Sequence, residues 1–447
     1  MIHTKTLKLV LALGAALSIS LSAMAGSIKE NVKFRINSED GIYAKGEPVK
    51  VIADVSAVPE GETILRIFKN GVKKPVKSKK IVLQEGENVI LEESYDETVA
   101  MMITMASKED KKDKAYVGWV VAPEGFTPGF EEPSDLMTWW GKEIAKMRKL
   151  KMKAKVTPVD MCEGKDADKF EAFDLEVNCV GDAPVRGYMV RPKDAAKGSL
   201  PIIIYVHGAG VKGPSNRSSV KTAWGDARRG SGAIAVDLNA HGMLNGQPQS
   251  YYDALNEGEL AGYATREPET RDNYYFKGMF LRLQRLVDYL VKDPAWDGKH
   301  IIVRGGSQGG AQTAFIASMD PRITTAVMTV PAMLDQGGSL QGRRSTWPGV
   351  TDKYGMESAA GKVCPYFDPA LMLKYAKANF WIELGLFDET CPPANVYAGI
   401  NQIKSPKEVH TFQRGHGTVW AKDKEGKERH KTLDKAQAKF ILAEMTR

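Results

Sequence analysis

The feature that most constrains the fold is the stretch IIVRGGSQGG at 301–310, in which an apolar run ends at Gly305-Gly306-Ser307-Gln308-Gly309. These five residues match G-x-S-x-G, and their surroundings predict a buried strand before them and a helix over 308–318 after them. A serine at such a turn has a strained backbone, which flanking glycines accommodate because they carry no side chain. The turn would hold the Ser307 hydroxyl above the end of a sheet, near the positive end of the helix. We therefore predict that Ser307 is a catalytic nucleophile.

The chain from residue 126 to 447 has the pattern of an α/β domain. Apolar runs predict buried strands and one-sided apolar runs predict helices, and the two alternate. The strands are expected at 201–206, 233–238, 301–303, 324–330, 380–384 and 408–412, and the helices at 134–150, 277–292 and 308–318. Such alternation is typical of a mostly parallel sheet with helices on its faces.

Residues 26–125 have a different pattern, with short strands separated by turn signals such as Asn70-Gly71. Strands are expected at 31–36, 48–55, 63–69, 82–91, 99–106 and 115–121. This spacing predicts an accessory β-sandwich domain of the immunoglobulin-like type, and the Pro- and Gly-rich loop 123–133 marks its end. The segment 66–80 carries seven basic side chains and no acid. It is either a glycan- or anion-binding patch or, as the acids that follow it favour, a solvated hairpin.

Residues 1–25 have the pattern of a cleavable signal peptide. Lys5 and Lys8 precede an apolar run over 9–21, and Ala23-Met24-Ala25 supplies the small residues of a cleavage site. The run is too short for a membrane span, which needs about 20 residues. We expect an exported protein, periplasmic or secreted. Removal of the leader lowers the formal charge from +7 to +5, a mild excess that indicates no nucleic-acid partner.

A catalytic serine needs a base and an acid that orients the base. In folds with this turn the chain order is Ser, acid, His. His410, His416 and His430 follow Ser307, and His416 is favoured because it lies in a glycine-flanked loop directly after a predicted strand. Asp388 is the first carboxylate after the strand 380–384, with Glu389 as the alternative acid.

The oxyanion of an ester transition state needs preorganised N–H donors. Gln308, directly after the nucleophile, supplies one, and the loop Val206-His207-Gly208-Ala209-Gly210 predicts a second at Ala209. His207 has no second ligand spaced to join it in a metal site. The sequence has no phosphate-binding loop, dinucleotide fingerprint or zinc signature, so we expect no cofactor and no metal.

The four cysteines, Cys162, Cys179, Cys364 and Cys391, lie far apart and form no CxxC. An exported protein allows a disulfide between Cys162 and Cys179. Four separate buried thiols are the alternative, and in a chain of 447 residues they are slightly favoured.

From residue 133 onward the sequence resembles the acetyl xylan esterase and cephalosporin C deacetylase family, carbohydrate esterase family seven of the α/β-hydrolase superfamily. The likeness rests on the segments PSDLMTWW at 133–140, YY at 274–275, GGSQGG at 305–310, GLFDETCPP at 385–393 and GH at 415–416. The resemblance implies an α/β-hydrolase fold, a triad of Ser307, Asp388 and His416, and oxyanion donors at Ala209 and Gln308. Two departures are Asn239-Ala240-His241, where the family usually has Arg-Gly-Gln, and Gly417, where it has Glu.

Together these features predict a serine esterase that deacetylates carbohydrates such as acetyl xylan and xylooligosaccharides through an acyl-enzyme. Other small acetyl esters, including cephalosporin C, are expected substrates as well, and a homo-oligomer is compatible with the resemblance. One alternative is a peptidase of the prolyl-oligopeptidase type, although roughly 100 residues are too few for its propeller. The other is a catalytically silent glycan-binding protein, against which the intact Ser, Asp, His order argues.

Overall fold

A computed structural model describes residues 26–181, 183–417 and 424–447. The predicted signal peptide, residues 1–25, lies outside the described residues. Ten α-helices of the described chain are α1 Ile28–Asn31, α2 Leu136–Lys149, α3 Val220–Ala227, α4 Gln249–Glu257, α5 Tyr275–Leu290, α6 Gln308–Met319, α7 Val350–Tyr354, α8 Ala359–Val363, α9 Pro393–Ile400 and α10 Lys424–Glu444.

The strands fall into three sheets. Those before residue 125 are β1 Val32–Ile36, β2 Ile42–Tyr43, β3 Pro48–Val55, β4 Thr63–Lys69, β5 Lys77–Ile81, β6 Gly86–Ser94, β7 Val99–Ser107 and β8 Lys114–Val121. Those after it are β9 Ala154–Val159, β10 Phe170–Val177, β11 Val185–Pro192, β12 Leu200–Val206, β13 Ile234–Asn239, β14 Trp296–Gly306, β15 Thr325–Thr329, β16 Asn379–Gly385 and β17 Lys407–Phe412.

The nine later strands form one mixed sheet of order β17-β16-β15-β14-β12-β13-β11-β10-β9. The pairings from β17 to β13 are parallel, as predicted. The pairings from β13 to β9 are antiparallel and were not predicted. The sequence of β9 and β10 has no continuous apolar run, because these strands are not buried on both faces.

Helices cover both faces of this sheet. On one face α5 and α6 meet through Phe280 and Phe315, whose rings stack at 4.2 Å between centroids. On the other face α10 packs Leu433 and Ile441 against a group of sheet residues that includes Ile302. The parallel strands inside the sheet are therefore buried on both sides, whereas the edge strand β17 is partly exposed. The carboxyl ends of the parallel strands carry the loops described below.

The eight earlier strands form a three-stranded sheet, β1-β3-β6, and a five-stranded sheet, β2-β8-β7-β4-β5. Both sheets contribute to one apolar cluster that includes Val51, Ile103 and Trp119. The basic segment is the hairpin β4–β5, in which Lys80 pairs with Glu62. Strand β5 was not predicted because its sequence, KSKKI, is that of a charged, exposed sheet edge rather than an apolar run.

All four cysteines are free thiols, so the alternative of separate thiols agrees with the structure and the Cys162–Cys179 bridge does not. Within the described ranges, no helix has both the length and the apolar character needed to cross a membrane.

Candidate active site

Ser307 lies at the sharp turn between β14 and α6 that the sequence predicted. Its backbone has φ +56° and ψ −119°, a strained conformation for a residue with a side chain. The turn is fixed by hydrogen bonds from Ser307 N to Thr329 O (2.9 Å) and from Ala332 N to Ser307 O (2.9 Å).

The glycines around Ser307 are required by close packing. A Cβ on Gly305 would lie 2.6 Å from Val206 Cγ2, and one on Gly310 would lie 2.7 Å from Pro331 Cα. A Cβ on Gly309 would overlap the Val206 carbonyl oxygen. The first turn of α6 therefore lies directly against the end of β12 (Leu200–Val206), which no residue larger than glycine would permit.

Ser307, His416 and Asp388 form one chain of hydrogen bonds. His416 Nε2 lies 2.9 Å from Ser307 Oγ, and His416 Nδ1 lies 2.8 Å from Asp388 Oδ2. Asp388 follows β16 and His416 follows β17, so both loops leave the carboxyl edge of the sheet beside the serine. The imidazole can take the serine proton on one side while the carboxylate orients it on the other.

Asp388 is buried, with 3% of its surface exposed. Its second oxygen, Oδ1, accepts hydrogen bonds from Thr390 N (2.7 Å) and Cys391 N (2.8 Å). These bonds hold the carboxylate in the orientation that His416 needs. The alternative acid, Glu389, has an exposed side chain.

The other two histidines considered from the sequence lie elsewhere. The ring of His410 stacks on Trp381, 3.9 Å between centroids, within β17. Burial lowers the pKa of His410. His430 belongs to α10, whose first turns contain residues with undescribed side chains.

The predicted oxyanion loop lies beside the serine. A Cβ on Gly208 would be 3.8 Å from Ser307 Cβ, and Ala209 is the next residue. Gln308, fully buried, opens α6 and presents its backbone N–H at the positive end of that helix. The structure thus brings together the segments carrying the two predicted donors, and their catalytic role stays a prediction.

Tyr263, which no sequence pattern marks as functional, connects these two segments. Its hydroxyl donates to Gln308 Oε1 (2.6 Å) and accepts from Gly210 N (3.2 Å). Asn216 Nδ2 also donates to Ala209 O (3.0 Å). The backbone around Ala209 is therefore held on both sides by side chains from outside its loop, which is the preorganisation an oxyanion hole needs.

Two buried histidines, His207 and His241, help to hold the loop 206–210 in place. His207 donates from Nδ1 to Ser215 O (2.8 Å) and from Nε2 to Asp237. Burial acts to lower the pKa of His207, but the bond to Asp237 outweighs it and raises that pKa. Both ring nitrogens of His207 thus have oxygen partners within the protein, and neither faces an open site.

His241, in the segment that departs from the family pattern, is neutral. Its Nε2 donates to Gly210 O (3.0 Å) and its Nδ1 accepts from the Tyr275 hydroxyl (2.7 Å). Burial, together with the nearby charge of Arg282, lowers the pKa of His241 to about 3.

One group of metal-type ligands occurs among the described residues. Asp388, Cys391 and His416 offer ligand atoms within 4.8 Å of one another. Two of these side chains already bind each other, and burial raises the pKa of the Cys391 thiol well above its usual range. A protonated thiol is a poor ligand, so the geometry fits a hydrogen-bonded triad better than a cation site.

Comparison with known proteins gives one family. The model of the family described as acetyl xylan esterase (AXE1) matches residues 124–430. The acetyl esterase Axe7A of Xylanibacter ruminicola is 27% identical over 404 residues, which cover 87% of this chain and 89% of that protein.

Two solved structures are similar in fold. The acetyl xylan esterase from Paenibacillus sp. R4 has a TM-score of 0.58 at 24% identity, covering 71% of this chain and 98% of its own. Acetyl xylan esterase 1 from Thermoanaerobacterium sp. JW/SL YS485 has a TM-score of 0.54 at 21% identity, covering 69% and 96%. These likenesses confirm an α/β-hydrolase-like fold with a large mixed sheet.

Proposed function

The chain belongs to the acetyl xylan esterase family and is a carboxylic ester hydrolase, and on this premise we propose that it removes acetyl groups from acetylated xylan and xylooligosaccharides. The observation that carries the proposal is the hydrogen-bond chain from Ser307 Oγ through His416 to Asp388. The names of its relatives, which refer to acetyl esters and to xylan, support the choice of substrate.

The proposed reaction has two steps. Ser307 Oγ attacks the acetyl carbonyl carbon while His416 Nε2 takes its proton, and the sugar hydroxyl leaves with that proton. Water then attacks the acetyl-serine while His416 takes its proton, and His416 returns that proton to Ser307 Oγ as the bond to the acetyl group breaks and acetate is released. The backbone N–H groups of Ala209 and Gln308 stabilise the negative oxygen in both steps. Asp388 keeps its charge and holds the imidazole in place.

Comparison of Ser307→Ala with Ser318→Ala tests this assignment. Both variants remove a hydroxyl from the same turn and helix, but Ser318 Oγ only bonds Ala314 O (2.8 Å) inside α6. Ser307→Ala should lose acetate release from acetylated xylooligosaccharides by at least about a thousandfold, while Ser318→Ala keeps it. Full activity of Ser307→Ala would refute the mechanism.

A substrate panel tests the range of the enzyme. We propose that acetyl esters, including cephalosporin C, are hydrolysed, and acetate release can be compared with release of longer acyl groups. Cleavage of peptide amides without acetyl ester hydrolysis would favour the peptidase instead. Failure of Ser307 to react with an organophosphonate would favour the silent glycan-binding protein.

We also propose the organisation of the whole chain: a signal peptide over 1–25, an accessory β-sandwich domain over 26–125 and a catalytic domain over 126–447. The charged start, apolar run and Ala23-Met24-Ala25 support export to the periplasm or medium. Intact-mass measurement of the exported protein should give an N-terminus at Gly26. Recovery of the exported protein with residues 1–25 attached would contradict this.

A further inference from the structure

We propose that the N-terminal β strands position the acid and the base of the active site, by holding the two loops that carry them. We call residues 386–391 the acid loop and residues 413–417 the base loop. The inference rests on the proposed catalytic roles of Asp388 and His416. It gives residues before position 125 a part in the reaction, although the family model begins only at residue 124.

The first contact is made by Gly118 in β8. Its N–H donates to Gln413 Oε1 (3.0 Å), and its carbonyl accepts from Gln413 Nε2 (2.7 Å). One side-chain amide of the base loop thus satisfies both backbone groups of one residue. A Cβ on Gly118 would overlap the carbonyl oxygen of Leu386, so the same strand also lies directly against the acid loop.

The second contact is made by Tyr116, two residues earlier on β8. Its ring stacks on Phe387 with 5.2 Å between centroids and 12° between planes. Phe387 directly precedes Asp388, and its ring also approaches the base loop, 3.7 Å from where a Cβ on Gly415 would be. Tyr116 therefore packs on the ring of Phe387, which directly precedes the acid Asp388. The same ring lies close to Gly415, which directly precedes the base His416.

The two loops are joined to each other as well. Phe387 N donates to Arg414 O of the base loop (3.2 Å), and Leu386 N donates to Phe412 O (2.8 Å) at the end of β17, directly before that loop. A third link runs from Thr411 Oγ1 in β17 to Asp40 O (2.6 Å), which lies between β1 and β2. The N-terminal strands thus contact a connected pair of loops from one side, rather than a single exposed tip.

This support matters because the triad depends on short distances across two loops. His416 lies within 3 Å of both Ser307 and Asp388, and both loops lie outside the regular strands and helices at these positions. A misplacement of about 1 Å can cost an enzyme roughly a hundredfold in rate. Tyr116 and Gln413 are accordingly positioning residues, since neither belongs to the hydrogen-bond chain of the reacting atoms.

The experiment compares Tyr116→Ala and Gln413→Ala with Tyr95→Ala in the full chain. Tyr95 packs on Trp119 among the N-terminal strands, so its removal tests loss of stability alone. An organophosphonate end-point titration counts competent Ser307 sites, and kcat on 4-nitrophenyl acetate is expressed per titrated site. Unfolded molecules then do not affect the value of kcat.

We expect kcat per site to fall about tenfold or more in Tyr116→Ala and Gln413→Ala, with KM changed less than about twofold. Tyr116→Phe keeps the stacked ring and should restore kcat. Equal rates per site in Tyr116→Ala, Gln413→Ala and Tyr95→Ala would overturn the inference. Failure of this inference can be distinguished from failure of the proposed function. Only failure of the proposed function would leave Ser307→Ala active.

Discussion

Both carboxylate oxygens of Asp388 accept hydrogen bonds. Oδ2 faces the His416 N–H, while Oδ1 accepts from two backbone N–H groups, of Thr390 and Cys391. All of these partners are donors, and a carboxylate can accept from them on both of its oxygens. An amide placed there would have to turn its NH2 group toward another donor.

Asp388→Asn should therefore lower kcat by about a thousandfold to ten-thousandfold, because the amide cannot accept on both sides and the imidazole loses its orientation. Acetate release at saturating substrate measures this. Glu389→Gln is the matched control, since Glu389 is exposed, and it should keep nearly full activity. A larger loss in Glu389→Gln than in Asp388→Asn would make Glu389 the acid.

His241 gives a prediction about pH. Burial and the charge of Arg282 lower its pKa to about 3, from an ordinary value of 6.5. Between these values the unfolded chain binds a proton that the folded protein does not, so stability falls as pH falls through this range. His241→Gln removes the titration, while its amide can still donate toward Gly210 and accept from Tyr275.

From pH 6.5 to pH 5 the wild type should lose about 1.5 kcal/mol more unfolding free energy than His241→Gln. Urea unfolding at the two pH values measures the difference. Parallel losses in the two proteins would show that His241 does not stay neutral in the fold.

The triad could be predicted from sequence because each member follows a recognisable strand in the order that the turn at Ser307 requires. Tyr263 and Asp237 could not. Their signal lies in contacts with Gln308 and His207, which are distant in sequence and become neighbours only when the sheet forms. The same holds for Tyr116 and Gln413, because no local sequence pattern indicates that they have a positioning role.

Among the elements, the contact of α6 with β12 depends on glycine. Gly309→Ala places a Cβ against the Val206 carbonyl, where only backbone could move to relieve it. Gly141, by contrast, is exposed in the middle of α2 with nothing within 4 Å of its Cβ position.

Gly309→Ala should destabilise the protein by about 2 kcal/mol or more and lower its activity, since overpacking of this kind typically costs 1–3 kcal/mol. Gly141→Ala should stabilise it by roughly 0.5–1 kcal/mol, because alanine is the better helix former. Thermal unfolding and acetate release of both variants check the pair. If Gly309→Ala matched Gly141→Ala, the close packing of α6 on β12 would be disproved.

Strands buried on both faces could be predicted from sequence, and the exposed edge strands β5 and β9 could not. The run at 201–206 is apolar, and the run at 380–384 is interrupted only by the buried Glu383, because helices cover both sides of β12 and β16. Strands β5 and β9 are exposed along nearly their whole length, so their pairing depends on backbone hydrogen bonds that leave no pattern in the side chains.

For the molecule as a whole, the state of the cysteines connects the fold with the proposed export. Cys162 is half-buried, and Cys179, Cys364 and Cys391 are buried. Burial raises the pKa of the Cys179 and Cys364 thiols as well as that of Cys391, which keeps the reactive thiolate form rare. An oxidising compartment would then leave four thiols in place, because none is paired and three of them are buried.

A thiol titration with Ellman's reagent tests this on the protein exported from a secreting host. In the native state at most one thiol, Cys162, should react, and all four should react in guanidinium chloride. Cys162→Ser is the control and should make the native protein unreactive. Two thiols in denaturant, rising to four only after reduction, would instead show a disulfide and contradict the four free thiols. Three thiols in denatured Cys162→Ser without reduction would then identify Cys162 as one of its partners.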